Sequence, residues 1–479
     1  MSLRGQALSG IVWTVVDTFI LKGLSFIASL ILARWLGPAE FGLVGMIAVF
    51  IAIGVSLTDS GLTNSLIRAR EKDDRDYTTV FWLNLGMSAL VYTVLFFGAP
   101  LIASFFEQPI LIGLVRLYCF SFVISAFSAV QLARLTSDMA FKKIAKLNIP
   151  GTIVGVIAGL FLGYNGYGAY AIVWMYLITQ IIQSIMLWAT SNWKPTFSYS
   201  KEKAKYHYGF GYKLMLSGLI NTLFGNIYNI IIGKLYNPNV LGLYERSRSL
   251  NMYPVTVLTA VVSKVTYPLL SGIQDDKEKV GVVYRKILRI TFFLTAPLML
   301  IAAAMAKPLF NLVLGPEWNG AVPFFQILCL STMFYPIQVF NLNVFMVYGR
   351  SDLFLKLEVV KKIVIVIAIW IGYWFGIYGL VWSSVITSYT ALLINTHYSA
   401  EMINYSQKQQ FKDMLPTFLF GFISAVLVSV FYLVTNISSD WVKLFFGFVI
   451  GGGGYLCLNY LFKSAPLFYC LSIVKEKLR

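Results

Sequence analysis

The chain has 479 residues, 58% of them hydrophobic and only 12% charged, and carries a formal net charge of +17. A soluble domain sits near half apolar and a quarter charged, so this composition, with a mean hydropathy of +0.73, describes a polypeptide solvated by lipid. It excludes a sizeable water-soluble enzyme, and it leaves the meaning of the positive charge to the places where the cations fall.

The N-terminal stretch MSLRGQALSGIVWTVV sets one cation ahead of an apolar run of spanning length and lacks a small-residue cleavage site, so a retained first helix is expected. A helix needs about 20 apolar residues to cross the hydrocarbon core. Fourteen stretches qualify: 10–34, 41–67, 79–104, 111–134, 149–166, 168–190, 211–235, 241–270, 286–306, 321–346, 360–376, 378–398, 414–435 and 442–463. They are too long and too little alternating for strands. The predicted class is an all-α integral membrane protein.

Ionisable groups inside spans are expensive and normally face a cavity or one another. Span 1 carries Thr14, Asp17, Thr18, Lys22, Ser25 and Ser29. At about 100° per residue, Thr14, Thr18, Lys22, Ser25 and Ser29 fall on one stripe. Span 2 carries Asp59, which either serves a coupling ion or caps a helix turn ahead of Gly61. Span 4 adds Arg116, whereas spans 3, 5, 6 and 9–14 read as packing and lipid-facing elements. Span 7 lines up Thr222, Asn226, Asn229 and Gly233 on one face. Span 8 opens LYERSRSLNMYP, with Glu245, Arg246 and Arg248 in its outer half. The two arginines lie about 200° apart on a helix, so which of them faces a cavity stays open. Pairing of Glu245 with Arg248, and of Asp17 with a lysine, is the purely structural alternative.

The remaining cations obey an alternation. The segments around 68–76, 134–148, 191–213, 277–289, 350–362 and 408–412 are rich in Lys and Arg, while the intervening loops hold almost none. That asymmetry is the positive-inside rule, and it places both termini in the cytoplasm. The charge is therefore a topological signal, and nucleic acid is not an expected partner. Cys119, Cys329, Cys457 and Cys470 lie in or beside apolar runs and are expected to be buried thiols. With only His207 and His397 available, no metal site is expected.

Residues 33–43 read ARWLGPAEFGL and residues 233–243 read GKLYNPNVLGL. The first connects spans 1 and 2, the second spans 7 and 8, so both face outward and an even interval separates them. Cys119-x-Ser121 with Cys329-x-Ser331, and Ser137-Asp138 with Ser351-Asp352, keep the same order. Parallel repeats of this kind are a transporter signature. The expected organisation is two six-helix repeats, an N lobe over 1–200 and a C lobe over 201–400, around a central cavity, with two extra helices and a tail over 401–479. Pro stops one helix and Gly supports the turn, so each motif is expected to make a hairpin. Lys22, Arg246 and Arg248 are the cations available to an anionic substrate, with Thr14, Thr18, Ser25, Ser29, Thr222, Asn226 and Asn229 as polar lining. Asp17 and Asp59 are candidates for coupling to Na+ or H+. There is no HExxH, GxSxG or Walker motif, nor an outward loop large enough for a catalytic face. No enzymatic activity and no organic cofactor are expected, which disfavours a glycan ligase or polymerase.

Ala33-Arg34-Trp35-Leu36-Gly37-Pro38 followed by Phe41-Gly42 resembles the opening signature of polysaccharide exporters of the multidrug/oligosaccharidyl-lipid/polysaccharide (MOP) flippase superfamily. Gly242-Leu243-Tyr244-Glu245-Arg246, Pro268 to Ser271, Gln274-Asp275-Asp276, Pro297, Leu314-Gly315-Pro316-Glu317-Trp318 and Gly349-Arg350 resemble its colanic acid exporter-type, Wzx-like branch. The resemblance runs to about residue 350. It implies flipping of an undecaprenyl-diphosphate-linked oligosaccharide from the cytoplasmic to the periplasmic leaflet of a bacterial inner membrane, by a monomer working beside polysaccharide polymerase and export machinery and among membrane lipids. It carries cavity cations most directly onto Lys22 and Arg246. It also implies a lipid-tail groove involving the last two spans, where Gly451–Gly454 would leave a flat surface. The nearest rival is a drug or cation antiporter of the same superfamily, which would favour acidic over basic cavity residues. A scaffold subunit without transport would need no charges on the repeated spans.

Overall fold

The computed structural model describes residues 21–59, 61–69, 72–435 and 437–478, and every regular element among them is helical. The chain divides into two compact units, Met1–Gly242 and Leu243–Arg479. Ten of the described helical segments are long and apolar enough to cross a membrane, and an eleventh is reached when one bent pair is joined. The molecule is a multi-pass membrane protein.

The first unit begins with α1 (Lys22–Asp59), which contains predicted spans 1 and 2 joined without a loop at Gly37, whose φ of 75° and ψ of 177° only glycine adopts without strain. Pro38 then opens the second helical half, a position where its missing N–H costs nothing. A short α2 (Leu62–Arg68) leads to α3 (Asp74–Phe106), α4 (Leu111–Ser137), α5 (Phe141–Tyr164) and α6 (Ala169–Ala189). Helices α5 and α6 pack backbone to side chain. A Cβ on Gly155 would lie 1.9 Å from Thr179 Oγ1, and one on Gly159 would lie 2.5 Å from Met175 Cβ, the small-residue packing common where lipid gives no hydrophobic push. An aromatic cluster around Phe81, Trp82, Trp188 and Trp193 closes one end of the unit.

Span 7 is broken. Helices α7 (Lys201–Gly225) and α8 (Ile227–Leu235) meet at a 43° bend. The residue between them, Asn226, turns its Nδ2 back onto the Thr222 carbonyl at 2.8 Å. That carbonyl also accepts from the Asn226 backbone N–H at 3.2 Å, so side chain and main chain together close the last turn of α7 at the bend. Helix α7 packs on α1, α2 and α3.

Helix α9 (Pro238–Ser271) starts the second unit within its first turns. Asn237 caps it by accepting from Val240 N–H at 2.9 Å. Then follow α10 (Lys277–Ala304), α11 (Ala306–Val313), a 3-10 turn (Pro316–Ala321), α12 (Val322–Thr332), α13 (Tyr335–Val347), α14 (Ser351–Tyr373), α15 (Gly376–Met402), α16 (Gln407–Val434), α17 (Asp440–Leu461) and α18 (Ala465–Leu478). Asp276 of the Gln274-Asp275-Asp276 motif is the N-cap of α10. Gly315, at φ 100°, turns the chain so that Pro316 opens the 3-10 turn and Trp318 is sealed into the core. Thus Gly37-Pro38 and Gly315-Pro316 use the same device. The expectation of four buried thiols holds for Cys119 and Cys329 only, because Cys457 sits on an outward face of α17 and Cys470 is half-buried.

Candidate functional site

The two repeated motifs meet. A Cβ on Gly42 would lie 1.7 Å from the Pro238 carbonyl oxygen, and a Cβ on Gly242 would lie 1.8 Å from the Pro38 carbonyl oxygen. Each motif therefore lays its Gly against the other's Pro, and only a hydrogen fits in either place. Nearby, Gly233 has no room for a methyl beside Phe106, Leu241 and Met46. The closing Gly-Leu of the repeat serves this crossing as much as its own turn.

The polar groups nominated from sequence stand elsewhere in the unit. Lys22 is exposed at the first turn of α1, and Ser25 Oγ donates back to the Leu21 carbonyl at 3.1 Å. Ser29 is half-buried one turn further on. Thr222 of α7 shares a 3.0 Å hydrogen bond with Ser56 of α1, which ties the two helices together. Asn229 is 1% exposed. Thr14, Asp17 and Thr18 lie outside the described residues, as does the side chain of Asp59, the last residue of α1.

In the second unit the two arginines part company, as their angular separation requires. Arg246 is 4% exposed and its guanidinium lies over the Trp318 ring, 5.9 Å from the centroid. Beside it Ser247 donates to the Leu243 and Ala321 carbonyls, each at 2.8 Å. Glu245-Arg246 and Leu314 to Trp318 are therefore two halves of one contact. Arg248 is half-exposed, with Nη1 3.6 Å from Glu245 Oε1. Deeper in α9, Asn251 donates to Cys329 Sγ at 3.0 Å and accepts from Thr332 Oγ1.

Sequence reasoning missed a charged clasp in each unit. Asp76 near the start of α3 accepts from Lys203 Nζ at 2.6 Å and lies 3.1 Å from His207 Nε2. His207, fully buried, reaches Ser65 of α2 with Nδ1 at 2.8 Å. Lys203 also reaches Asp73, 2.9 Å away, and that hydrogen bond is the main reason the Asp73 carboxyl is held well below the usual carboxylate range. In the second unit Asp413 of α16 pairs with Arg285 and Arg289 of α10 and accepts from Tyr405 Oη at 2.6 Å. The reciprocal capping box of Asp73 and Asp76 was the one sequence signal pointing to the first clasp. Among the described residues no group of three or more His, Cys, Asp or Glu could hold a metal ion.

A family model described as "Polysaccharide biosynthesis protein" matches residues 31–323, a stretch containing both crossing motifs, the Arg246–Trp318 contact and both partners of the Asp76 clasp. The chain belongs to the polysaccharide biosynthesis protein family. Curated relatives of this family member include the lipopolysaccharide biosynthesis protein WzxC of Escherichia coli (strain K12), 26% identical over 78% of this chain and 76% of the relative. The teichuronic acid biosynthesis protein TuaB of Bacillus subtilis (strain 168) is 23% identical over 74% of this chain and 73% of its own. Among solved structures, a lipid II flippase MurJ in an inward closed conformation superposes with a TM-score of 0.76 at 17% identity, over 94% of this chain and 98% of that one. An inward-facing multidrug resistance MATE transporter of the MOP superfamily gives 0.62 at 17% identity, over 82% and 98%. The family member thus has the MOP-superfamily transporter fold. The family match starts inside α1, just after Ser29, so it covers neither Lys22 nor the polar stripe before it.

Proposed function

We propose that this protein flips a polyprenyl-diphosphate-linked oligosaccharide from the cytoplasmic to the outer leaflet of a bacterial inner membrane. The observation that carries the reading is family membership across residues 31–323, joined to cations set within membrane helices. Sugar hydroxyls exposed to hydrocarbon cost several kcal/mol each when unsatisfied. A polar protein path replaces their hydration while the lipid tail stays in the bilayer. No bond is made or broken, so the protein acts as a transporter and not as an enzyme.

The cation that each unit offers to phosphate oxygens in this reading is Lys22 in the first and Arg248 in the second, because both side chains reach solvent and a guanidinium presents two parallel donors. Arg246, packed over Trp318, acts by fixing the course of α9. Gly452 and Gly453 have open space where side chains would stand, and they offer the lipid tail a flat strip on α17. Asp17 and Asp59 are the candidates for Na+ or H+ coupling. Both termini lie in the cytoplasm, and the protein works as a monomer alongside the polymerase and export machinery.

The test is glycan export in a strain lacking its own exporter, with wild type, Lys22→Ala, Arg246→Ala and Arg248→Ala at matched membrane levels. Restored surface glycan in wild type, with at least a tenfold loss in Lys22→Ala and Arg248→Ala, is expected. Silent substitutions in a working exporter would move the diphosphate contacts elsewhere. Extrusion of toxic organic cations with no glycan export in any donor pathway would replace the reading by a drug antiporter.

A further inference from the structure

Inside the first unit lies a cavity of about 560 Å³, walled by α1 to α6, and none of its lining side chains is charged. Asn84 and Ser88 line it one turn apart on α3, Ser125 on α4, and Gln180 and Gln183 on α6. The sequence gives the spans holding α3, α5 and α6 only packing and lipid-facing roles. Their polar residues instead converge.

Several of these groups are unsatisfied. Neither Nδ2 nor Oδ1 of Asn84 has a hydrogen-bond partner, nor do Ser88 Oγ and Gln180 Oε1. Asn84 is 1% exposed and Ser88 is fully buried. Helical serines commonly return their proton to the carbonyl one turn back, as Ser128 does to Ile124 at 3.2 Å, and Ser88 does not. These atoms lie in the cavity wall with almost no accessible surface, and a buried amide or hydroxyl left without a partner costs on the order of 2–7 kcal/mol. Turned from the wall into the cavity, they would recover that cost by meeting a polar occupant.

Its chemistry narrows the occupant. Without a cation it has nothing to neutralise a diphosphate, and without a carboxylate it has nothing to hold an organic cation. Its volume falls within the roughly 300–1,000 Å³ of small-molecule pockets and exceeds the needs of one ion. Amides and hydroxyls that both donate and accept match neighbouring hydroxyls on a sugar ring. We propose that this cavity is a subsite for neutral sugar residues of the transported glycan, separate from the cations assigned to the diphosphate. The inference rests on the flippase reading above.

The experiment uses the full-length protein in nanodiscs and, as probe, the oligosaccharide freed by mild acid from the lipid-linked intermediate of the complemented strain. Binding and surface export are measured for wild type, Asn84→Leu and Ser125→Leu. Ser125 is exposed towards the cavity, so its leucine fills space without displacing core, and thermal melts verify that each variant is folded. Saturable binding by wild type, weakened at least tenfold in folded Ser125→Leu together with a comparable loss of export, is the expected result. If folded variants bind and export like wild type, the cavity holds only water and the inference falls while the flippase reading stands. If wild type exports no glycan from any donor pathway, the flippase reading itself fails and takes the subsite with it.

Discussion

Asp76 is the residue on which the junction of α2, α3 and α7 turns. It meets a lysine and a fully buried histidine from α7, and it caps its own helix. Removing one partner of a buried ionic cluster strands the others, at about 3–5 kcal/mol. Asp76→Ala should therefore lower the melting temperature of the purified protein by several degrees, and an unchanged melt would mean that water replaces the carboxylate. Asp73 behaves differently because it is exposed. Its pKa is depressed, chiefly by the hydrogen bond from Lys203. The pair therefore adds stability above the ordinary carboxylate pKa of about 4 and loses it as the pH falls further. Solvent screening keeps the effect small. Melts recorded from pH 7 to pH 3 should fall slightly more steeply for wild type than for Asp73→Asn, and parallel curves would deny the pair any role. Neither residue stands out in the sequence as a site. His207 served there only to argue against a metal, since a histidine's partner across 131 residues leaves no local trace.

At the scale of elements, the repeat was legible and its purpose was not. The match of 33–43 with 233–243 predicts two outward turns, and Pro38 does open the second half of α1 as Pro238 opens α9. Turn chemistry alone explains the Gly-Pro and Asn-Pro pairs. It does not explain Gly42 and Gly242, which sit inside helices where glycine costs roughly 1 kcal/mol against alanine. Their reason is tertiary: each lies against a backbone carbonyl of the other motif. A carbonyl cannot rotate away as a side chain can. Gly42→Ala and Gly242→Ala should therefore force the hairpins apart, with at least a tenfold loss of glycan export at matched expression. Gly86, also helical but with nothing within 4 Å of its would-be Cβ, is the control, and Gly86→Ala should leave export intact. Equal export by all three variants would show that the crossing is not needed for the cycle. The polar stripes fared similarly. Periodicity picked out Thr222 and Asn226, but not that one ties α7 to α1 and the other closes the last turn of α7 at the bend.

Across the whole molecule, hydropathy and cation placement carried most of the fold, because a bilayer punishes an exposed backbone polar group too heavily for many alternatives to survive. Each of the fourteen predicted spans has a helical counterpart among the described residues: spans 1 and 2 are fused in α1, span 2 running on into α2, span 7 is split between α7 and α8, and span 10 between α12 and α13. The same physics hid the uncharged cavity: scattered Asn, Gln, Ser and Thr on several helices carry no periodic signal strong enough to show that they converge. Orientation is the remaining global property, and the positive-inside rule is the basis on which it is proposed. The segment 190–200 and the clasps at Asp76 and Asp413 lie on the cation-rich side, whereas Asn165, in the turn between α5 and α6, lies on the cation-poor side. With the four native cysteines replaced, Ser198→Cys should react with a membrane-impermeant maleimide only in inverted vesicles, and Asn165→Cys only in intact spheroplasts. The reverse pattern would overturn the proposed topology. It would also turn the direction of transport around, since the cationic segments would then face the compartment that receives the glycan.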